Sequence, residues 1–204
     1  MASTGRSGLQ AGRRDRFARG VTEIFAPAHL VLSLPLAVGA IAGGWEGLGW
    51  GALVAALCGG IPFGVIVAGV RSGRFGDRHI GDRAQRPWFI GVTVVLVSGT
   101  LVLLLMVGAP RVTIACVAVM LATLIVTGSI TLWWKISFHT AVAAGSVVVV
   151  AWLLPPVPVY VVGAALVGAI AWSRARLGDH TPAQVAAGVA AGGTAAVLVL
   201  AAML

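Results

Sequence analysis

Val112–Trp134 reads VTIACVAVMLATLIVTGSITLWW, twenty-three residues without a single Asp, Glu, Lys, Arg or His. The apolar residues surround the helix axis and form no stripe. Uncharged runs of roughly 18 residues or more are the mark of a membrane-spanning helix, whereas a soluble helix keeps one polar face. Lipid offers no partner to an unpaired backbone group, so such a run must be helical to cross.

Outward from this stretch the pattern repeats. Apolar windows run from Ala26 to Gly44, Leu48 to Val70, Trp88 to Ala109, Val112 to Trp134, Thr140 to Leu154, Val157 to Trp172 and Pro182 to Leu204. The fifth and sixth are short for a crossing of ~30 Å and imply little tilt or a locally thinned bilayer. Hydrophobic residues make up 59% of the 204-residue chain and charged residues 10%, too little polar surface for a soluble domain of this size. The expected fold is all-α, a polytopic transmembrane helical bundle with six to seven spans over residues 25–204. Residues 1–24, polar and rich in Arg, Gly and Ser, are expected to form a disordered basic tail.

The connections are of two kinds. Gly43 to Gly47, Ala109 to Arg111 and Pro155 to Pro158 are short and nearly uncharged. The tail, Arg71 to Pro87, Lys135 to His139 and Ser173 to His180 carry charge. If each window crosses once, all charged connections share the side of the N-terminus, and thirteen of the fourteen basic residues lie there, Arg111 being left outside. The positive-inside rule then predicts a cytoplasmic charged face and N-terminus, with the C-terminus outside. The predominance of Arg over Lys, with abundant Ala, Gly and Val, points to a bacterial plasma membrane protein from a GC-rich genome. The net charge of +8 is read as basic loops facing anionic head groups and not as a nucleic-acid surface, because no basic stretch belongs to a soluble domain. Cys58 and Cys116 sit inside apolar windows without metal-ligand or disulfide spacing and read as small buried hydrophobes. Deep ionisable residues other than cysteine are absent from the windows, which argues against ion or proton transport. Gly188 and Gly192 form a G-x-x-x-G pattern that lets helices approach closely.

All four histidines, His29, His79, His139 and His180, fall on the charged face. His29 reads as an interfacial residue without chemistry. The segment Ser173-Arg174-Ala175-Arg176-Leu177-Gly178-Asp179-His180 sets two Arg and a His ahead of Thr181-Pro182, where Pro suits the first turn of the last helix. Arg side chains, a His and a helix start together favour an anion such as phosphate. Lys135 and His139, four apart, share a side if helical.

Ser173-Arg174, five residues, then His180 resembles the S-R-x5-H core of the third motif of the type 2 phosphatidic acid phosphatase family. Ser137-Phe138-His139 is similar to its second motif, P-S-G-H, and Arg86-Pro87 to the R-P that closes its first. The resemblance covers residues from about 79 to 184, with the motifs in the family's order. It implies a membrane phosphatase acting without metal or other cofactor on a lipid phosphate or a polyprenyl mono- or diphosphate. His180 would be the nucleophile and form a phosphohistidine, and His139 would be the acid and base. Arg174 and Arg86 would clamp the phosphoryl oxygens, with Arg78, His79, Lys135 and Ser137 as further phosphate-binding residues and Arg83 as a possible helper.

The departures are specific. His79 stands where the family's first motif has Lys. Ile136 and Phe138 replace the Pro and Gly of the second. Gln184 replaces the Asp that follows the third motif's His by four residues and orients it; Gln can accept the hydrogen bond but carries no charge, and Asp179 could substitute only if its loop folds back. The family usually has three core helices before the first motif, whereas two precede it here. A slower, retuned or inactive member is compatible with these changes. Two other readings stand beside this one. A Mg²⁺-dependent membrane prenyltransferase would use Asp77 and Asp82, but these are five apart and each adjoins an Arg. A non-enzymatic membrane subunit would bind a partner through the basic loops.

Overall fold

The computed structural model describes residues 4–71 and 86–204, with the side chains of 4–11, 66, 70, 71 and 86 left aside. Among the described residues every regular element is a helix: α1 (Thr4–Ile24), α2 (Pro27–Ala55), a π-helical turn (Ala56–Gly60), α3 (Ile61–Arg71), α4 (Arg86–Met106), α5 (Arg111–Trp133), α6 (Phe138–Leu153), α7 (Pro156–Arg176) and α8 (Pro182–Met203). Five apolar segments are long enough to cross a membrane, and α6 is a shorter apolar helix of 16 residues. α5, with 23 residues, is about 34 Å long at 1.5 Å per residue, enough for the hydrocarbon core. This is a helical membrane protein.

The longest apolar segment, Pro27–Gly69, is 43 residues, too long for one crossing. Its chain reverses at Gly43 (φ −141°) and Gly44, whose φ of +55° and ψ of −133° suit glycine alone. The two arms of α2 then lie antiparallel. A Cβ on Gly39 would strike the carbonyl of Gly47, one on Gly51 the carbonyl of Pro35, and one on Gly59 the side chain of Leu32. The separate windows over Ala26–Gly44 and Leu48–Val70 are therefore two arms of one hairpin. Farther along, the π-helical turn precedes Pro62, which lacks the N–H an α-helix would use and would crowd the carbonyl four residues back; widening the turn accommodates both.

The core is shared by the first arm of α2 with α5, α6 and α8, through Leu34, Val38, Cys116, Val119, Val149 and Leu200. A second cluster, including Val54, Cys58, Val97, Leu104 and Val117, seats the second arm and α4 on α5. Val102, Leu105, Met106, Val161, Val162 and Leu198 point outward and stay exposed, an apolar outer surface of the kind lipid covers. The exposed Trp and Tyr side chains gather at the two ends: Trp88, Trp133, Trp134 and Trp172 at one, Trp45, Trp152 and Tyr160 at the other. Amphipathic rings favour the two membrane–water boundaries.

Within the expected tail, residues 4–24 differ from expectation. In place of a disordered tail, the structure has α1 from Thr4 to Ile24. Thr22 Oγ1 lies 3.1 Å from Ser173 Oγ, Asp15 pairs with Arg176 at 2.9 Å, and the Phe17 and Trp172 rings are 6.0 Å apart. Ala18 is wholly buried, and Val21 joins Ala143 and Ile170 in a small core. Asp15, Ala18 and Thr22 recur at helical spacing, a strip too narrow to show in the average composition.

Candidate functional site

Two local codes fix the turn between α7 and α8. At the end of α7, Gly178 takes φ +72°, its N–H donates to the carbonyl of Ala175, and the N–H of Asp179 donates to that of Arg174 at 3.1 Å. This is a Schellman cap, which glycine makes accessible. The next helix begins three residues later. Thr181 Oγ1 accepts from the N–H of Gln184 at 3.3 Å, and Gln184 Oε1 accepts from the N–H of Thr181 at 3.1 Å. This reciprocal capping box, with Pro182 at the first helical position, leaves His180 immediately before the cap.

α6 begins beside α8 and runs parallel to it. Ser137 caps α6 by accepting from the N–H of Thr140, and its own N–H donates to the carbonyl of Gln184 at 3.3 Å. Thr140 Oγ1 donates to the carbonyl of Val185 at 3.0 Å. Gly188 and Gly192 permit this approach: a Cβ on the first would strike Thr140 and Ser137, and one on the second the carbonyl of Ala141. The G-x-x-x-G pattern is thus used inside the chain, against α6.

The charged residues meet where these helices meet. Arg174 Nη1 pairs with Asp179 Oδ2 at 2.9 Å, the Arg side chain being 14% exposed and the Asp side chain 43%. Lys135 Nζ donates to the backbone carbonyl of Asp179 at 2.5 Å. His180 is half-buried, and its N–H also reaches the carbonyl of Arg174 at 3.3 Å. Arg174 Nε and His180 Nδ1 are buried and have no hydrogen-bond partner among the described residues. Burial first, then the charges of Arg174 and Lys135, push the His180 imidazole down to about 4, against the opposing pull of Gln184 and Asp179. At neutral pH the ring is uncharged and retains a lone pair.

The expected site residues divide as follows. Lys135, Arg174, Asp179, His180 and Gln184 come together. His139 lies in the first turn of α6, half-buried, on the helix whose start adjoins that of α8. Ser137, expected to bind phosphate, is wholly buried, and its hydroxyl and N–H serve the start of α6 and the contact with α8. That placement withdraws it from a surface ligand. Gln184, expected to orient His180, also completes the capping box with its amide oxygen, a role written in Thr181-x-x-Gln184. Asp179 does fold back, onto Arg174. Arg86 begins α4, while Arg78, His79 and Arg83 lie outside the described residues, as do Asp77 and Asp82. His29 is exposed, its Nδ1 3.1 Å from the carbonyl of Ile24.

No protein-family model, curated protein or solved structure matches this chain.

Proposed function

We propose that the protein is a membrane phosphatase that hydrolyses a lipid phosphate or a polyprenyl mono- or diphosphate through a phosphohistidine, in the manner of the type 2 phosphatidic acid phosphatases its motifs resemble. The observation that carries the reading is the juxtaposition of uncharged His180 with Arg174 and Lys135, where Arg174 Nε and His180 Nδ1 have no hydrogen-bond partner among the described residues. Buried polar groups are ordinarily paired, and an unpaired guanidinium N–H next to an uncharged imidazole suits a ligand oxygen.

In the first step a lone pair of His180 attacks phosphorus, the N–P bond forms and the ester P–O bond breaks. His139, protonated, gives its proton to the leaving oxygen. In the second step His139 takes a proton from water, the water oxygen attacks phosphorus, and the N–P bond breaks to return His180 and release phosphate. An imidazole can serve in turn as acid and as base, which both halves of this exchange require. Arg174, Lys135 and Arg86 hold the negative charge spread over the equatorial oxygens. The substrate's tail lies in the bilayer beside the bundle. The seven apolar helical arms each cross once, and the site end, which carries most of the charge, faces the cytoplasm of a bacterial cell.

The test is phosphate release from lipid phosphates and prenyl diphosphates by purified protein in detergent with excess EDTA. Release that persists in EDTA and is lost in His180→Ala is the expected result. Release that needs Mg²⁺ would move the reading to a metal-dependent prenyl diphosphate enzyme, and no release from any substrate would move it to a non-enzymatic subunit.

A further inference from the structure

The packing of the bundle uses only one face of α1. We propose that α1 is an interfacial helix whose outer face binds the anionic head groups of phospholipids through Arg13, Arg14, Arg16 and Arg19. The inference stands apart from the phosphatase reading, since it uses none of the residues assigned to that chemistry.

The inner face sets the depth of the helix. Asp15 meets Arg176 at 2.9 Å, Thr22 Oγ1 lies 3.1 Å from Ser173 Oγ, and Val21 packs with Ile170. α1 therefore runs antiparallel along the last two turns of α7, from Arg176 to Ile170, about 9 Å of axial rise. α7 is one of the apolar segments long enough to cross a membrane, so its last two turns are where it leaves the hydrocarbon core. The four arginines flank this contact and are set at the depth of the head groups.

The outer face is divided. Phe17 and Ile24, seven residues apart, share one flank and are 66% and 64% exposed. Phe17 leans on Trp172, one of the exposed Trp residues of this end, with ring centroids 6.0 Å apart. Arg16 and Arg19 lie on the opposite flank, with Arg13 between, all three exposed. Large apolar side chains on one flank and arginines on the other are the mark of a helix held at a membrane–water boundary. Acyl chains cover the first flank and head groups meet the second.

Charge selects the kind of lipid. Between Gly12 and Ile24 four Arg stand against two carboxylates, Asp15 and Glu23, and Asp15 is already paired with Arg176. Among the described residues none of the four arginines has an ion-pair partner. A zwitterionic head group brings its own ammonium beside its phosphate and offers no net charge. An anionic head group offers a phosphate that no cation of its own opposes, and a guanidinium binds it through a fork of N–H donors.

The experiment reads lipid enrichment at α1 itself, on the full chain in phosphatidylcholine nanodiscs. A donor dye is placed on Gly12→Cys, where nothing lies within 4 Å of an added Cβ, in a chain with Cys58→Ala and Cys116→Ala. Energy transfer is measured to trace phosphatidylglycerol or phosphatidylcholine carrying the acceptor on an acyl chain. An arginine near an anionic lipid surface is worth a factor of about five. Phosphatidylglycerol should therefore be enriched about fivefold over phosphatidylcholine at low salt and less at high salt. Replacing all four arginines with Gln should bring the ratio to about one. Replacing them with Lys, which keeps the charge, should retain most of the preference, and melting temperatures check that both variants fold. With the donor on Glu46→Cys at the other end, the ratio should be about one. A ratio near one at α1 in the wild type, a preference that survives the Gln substitutions, a preference lost with Lys, or equal enrichment at position 46 overturns the proposal. Quenching of the α1 donor by polyglutamate or a DNA oligonucleotide, without phosphatidylglycerol enrichment, would overturn it in favour of a macromolecular partner.

Discussion

The backbone N–H of Ser137 donates to the carbonyl of Gln184 at 3.3 Å, so the first turn of α6 is tied to the first turn of α8. Helix starts rarely share a main-chain bond, because side chains normally keep them 8–10 Å apart. Here glycine removes the obstacle, and the tie sets Lys135, just before α6, against Asp179, just before α8. The site depends on close packing of helices at least as much as on its own residues.

Two neighbouring glycines test that dependence with opposite signs. A Cβ at Gly192 would fall on the carbonyl of Ala141, whereas one at Gly193 meets nothing within 4 Å. Gly192→Ala should destabilise the protein by roughly 2 kcal/mol or more, since backbone cannot yield as a side chain can. Gly193→Ala should stabilise it by about 0.5–1 kcal/mol through helix propensity and the reduced freedom of the unfolded chain. Melting temperatures in one detergent decide the matter; equal effects would mean that α6 and α8 do not approach as described.

Gln184 offers a second test, because the cap and the catalytic analogy predict different outcomes. Its amide oxygen accepts the N–H of Thr181. Gln184→Ala should cost about 1 kcal/mol of stability, the usual worth of a cap contact, while Gln184→Glu should keep the cap and add a favourable charge at the helix start. If Gln184 served only as a stand-in for the family's Asp, Gln184→Ala would lower activity and leave the melting temperature alone.

Much of the fold was legible from composition alone. Seven windows free of charge correspond to the two arms of the 27–71 segment and to α4 through α8, because a membrane helix needs apolarity on every side and leaves no ambiguity of period. The reversal at Gly43–Gly44 was legible as a short glycine-rich connection. The helix α1 was not, since Ala18, Val21 and Thr22 make its contacts while the exposed Arg13, Arg14, Arg16 and Arg19 dominate the average. For the site, the spacing from Arg174 to His180 was readable, and local chemistry sets it: Gly178 closes α7, and Thr181 with Gln184 opens α8. The ion pair from Asp179 to Arg174 could not be read, because it depends on the direction in which the Schellman cap turns the chain.

The titration of His180 gives a prediction whose sign is fixed by its surroundings. The folded value of about 4 lies below the ordinary 6.5, so between these values the folded chain binds fewer protons than the unfolded chain. Stability from this residue is full above pH 6.5 and is lost as pH falls toward 4. Histidine NMR of the labelled protein should show the ring uncharged at pH 5.5, with Lys135→Ala raising its midpoint and Asp179→Asn lowering it. A midpoint near 6.5 that ignores both substitutions would place His180 in open water, away from those charges.

The proposed orientation rests on the charge distribution and can be tested by labelling. Exposed Arg13, Arg14, Arg16 and Arg19 on α1, together with Lys135 and Arg176, gather at the site end, while Arg111 begins α5 at the other. The hairpin tip, with exposed Trp45 and Glu46, also lies at that other end. Cys58 and Cys116 are buried, so replacing both with alanine leaves a background for single reporters. In intact cells, an impermeant maleimide should label Glu46→Cys and spare Arg16→Cys until the membrane is opened. The reverse pattern would put the site outside, where a soluble pool of phosphate esters could reach it without crossing. Labelling of both reporters from outside would mean that the arm from Pro27 to Ala42 does not cross at all. The reversal at Gly43–Gly44 would then mark a re-entrant loop, and the charged end could no longer be assigned by counting spans.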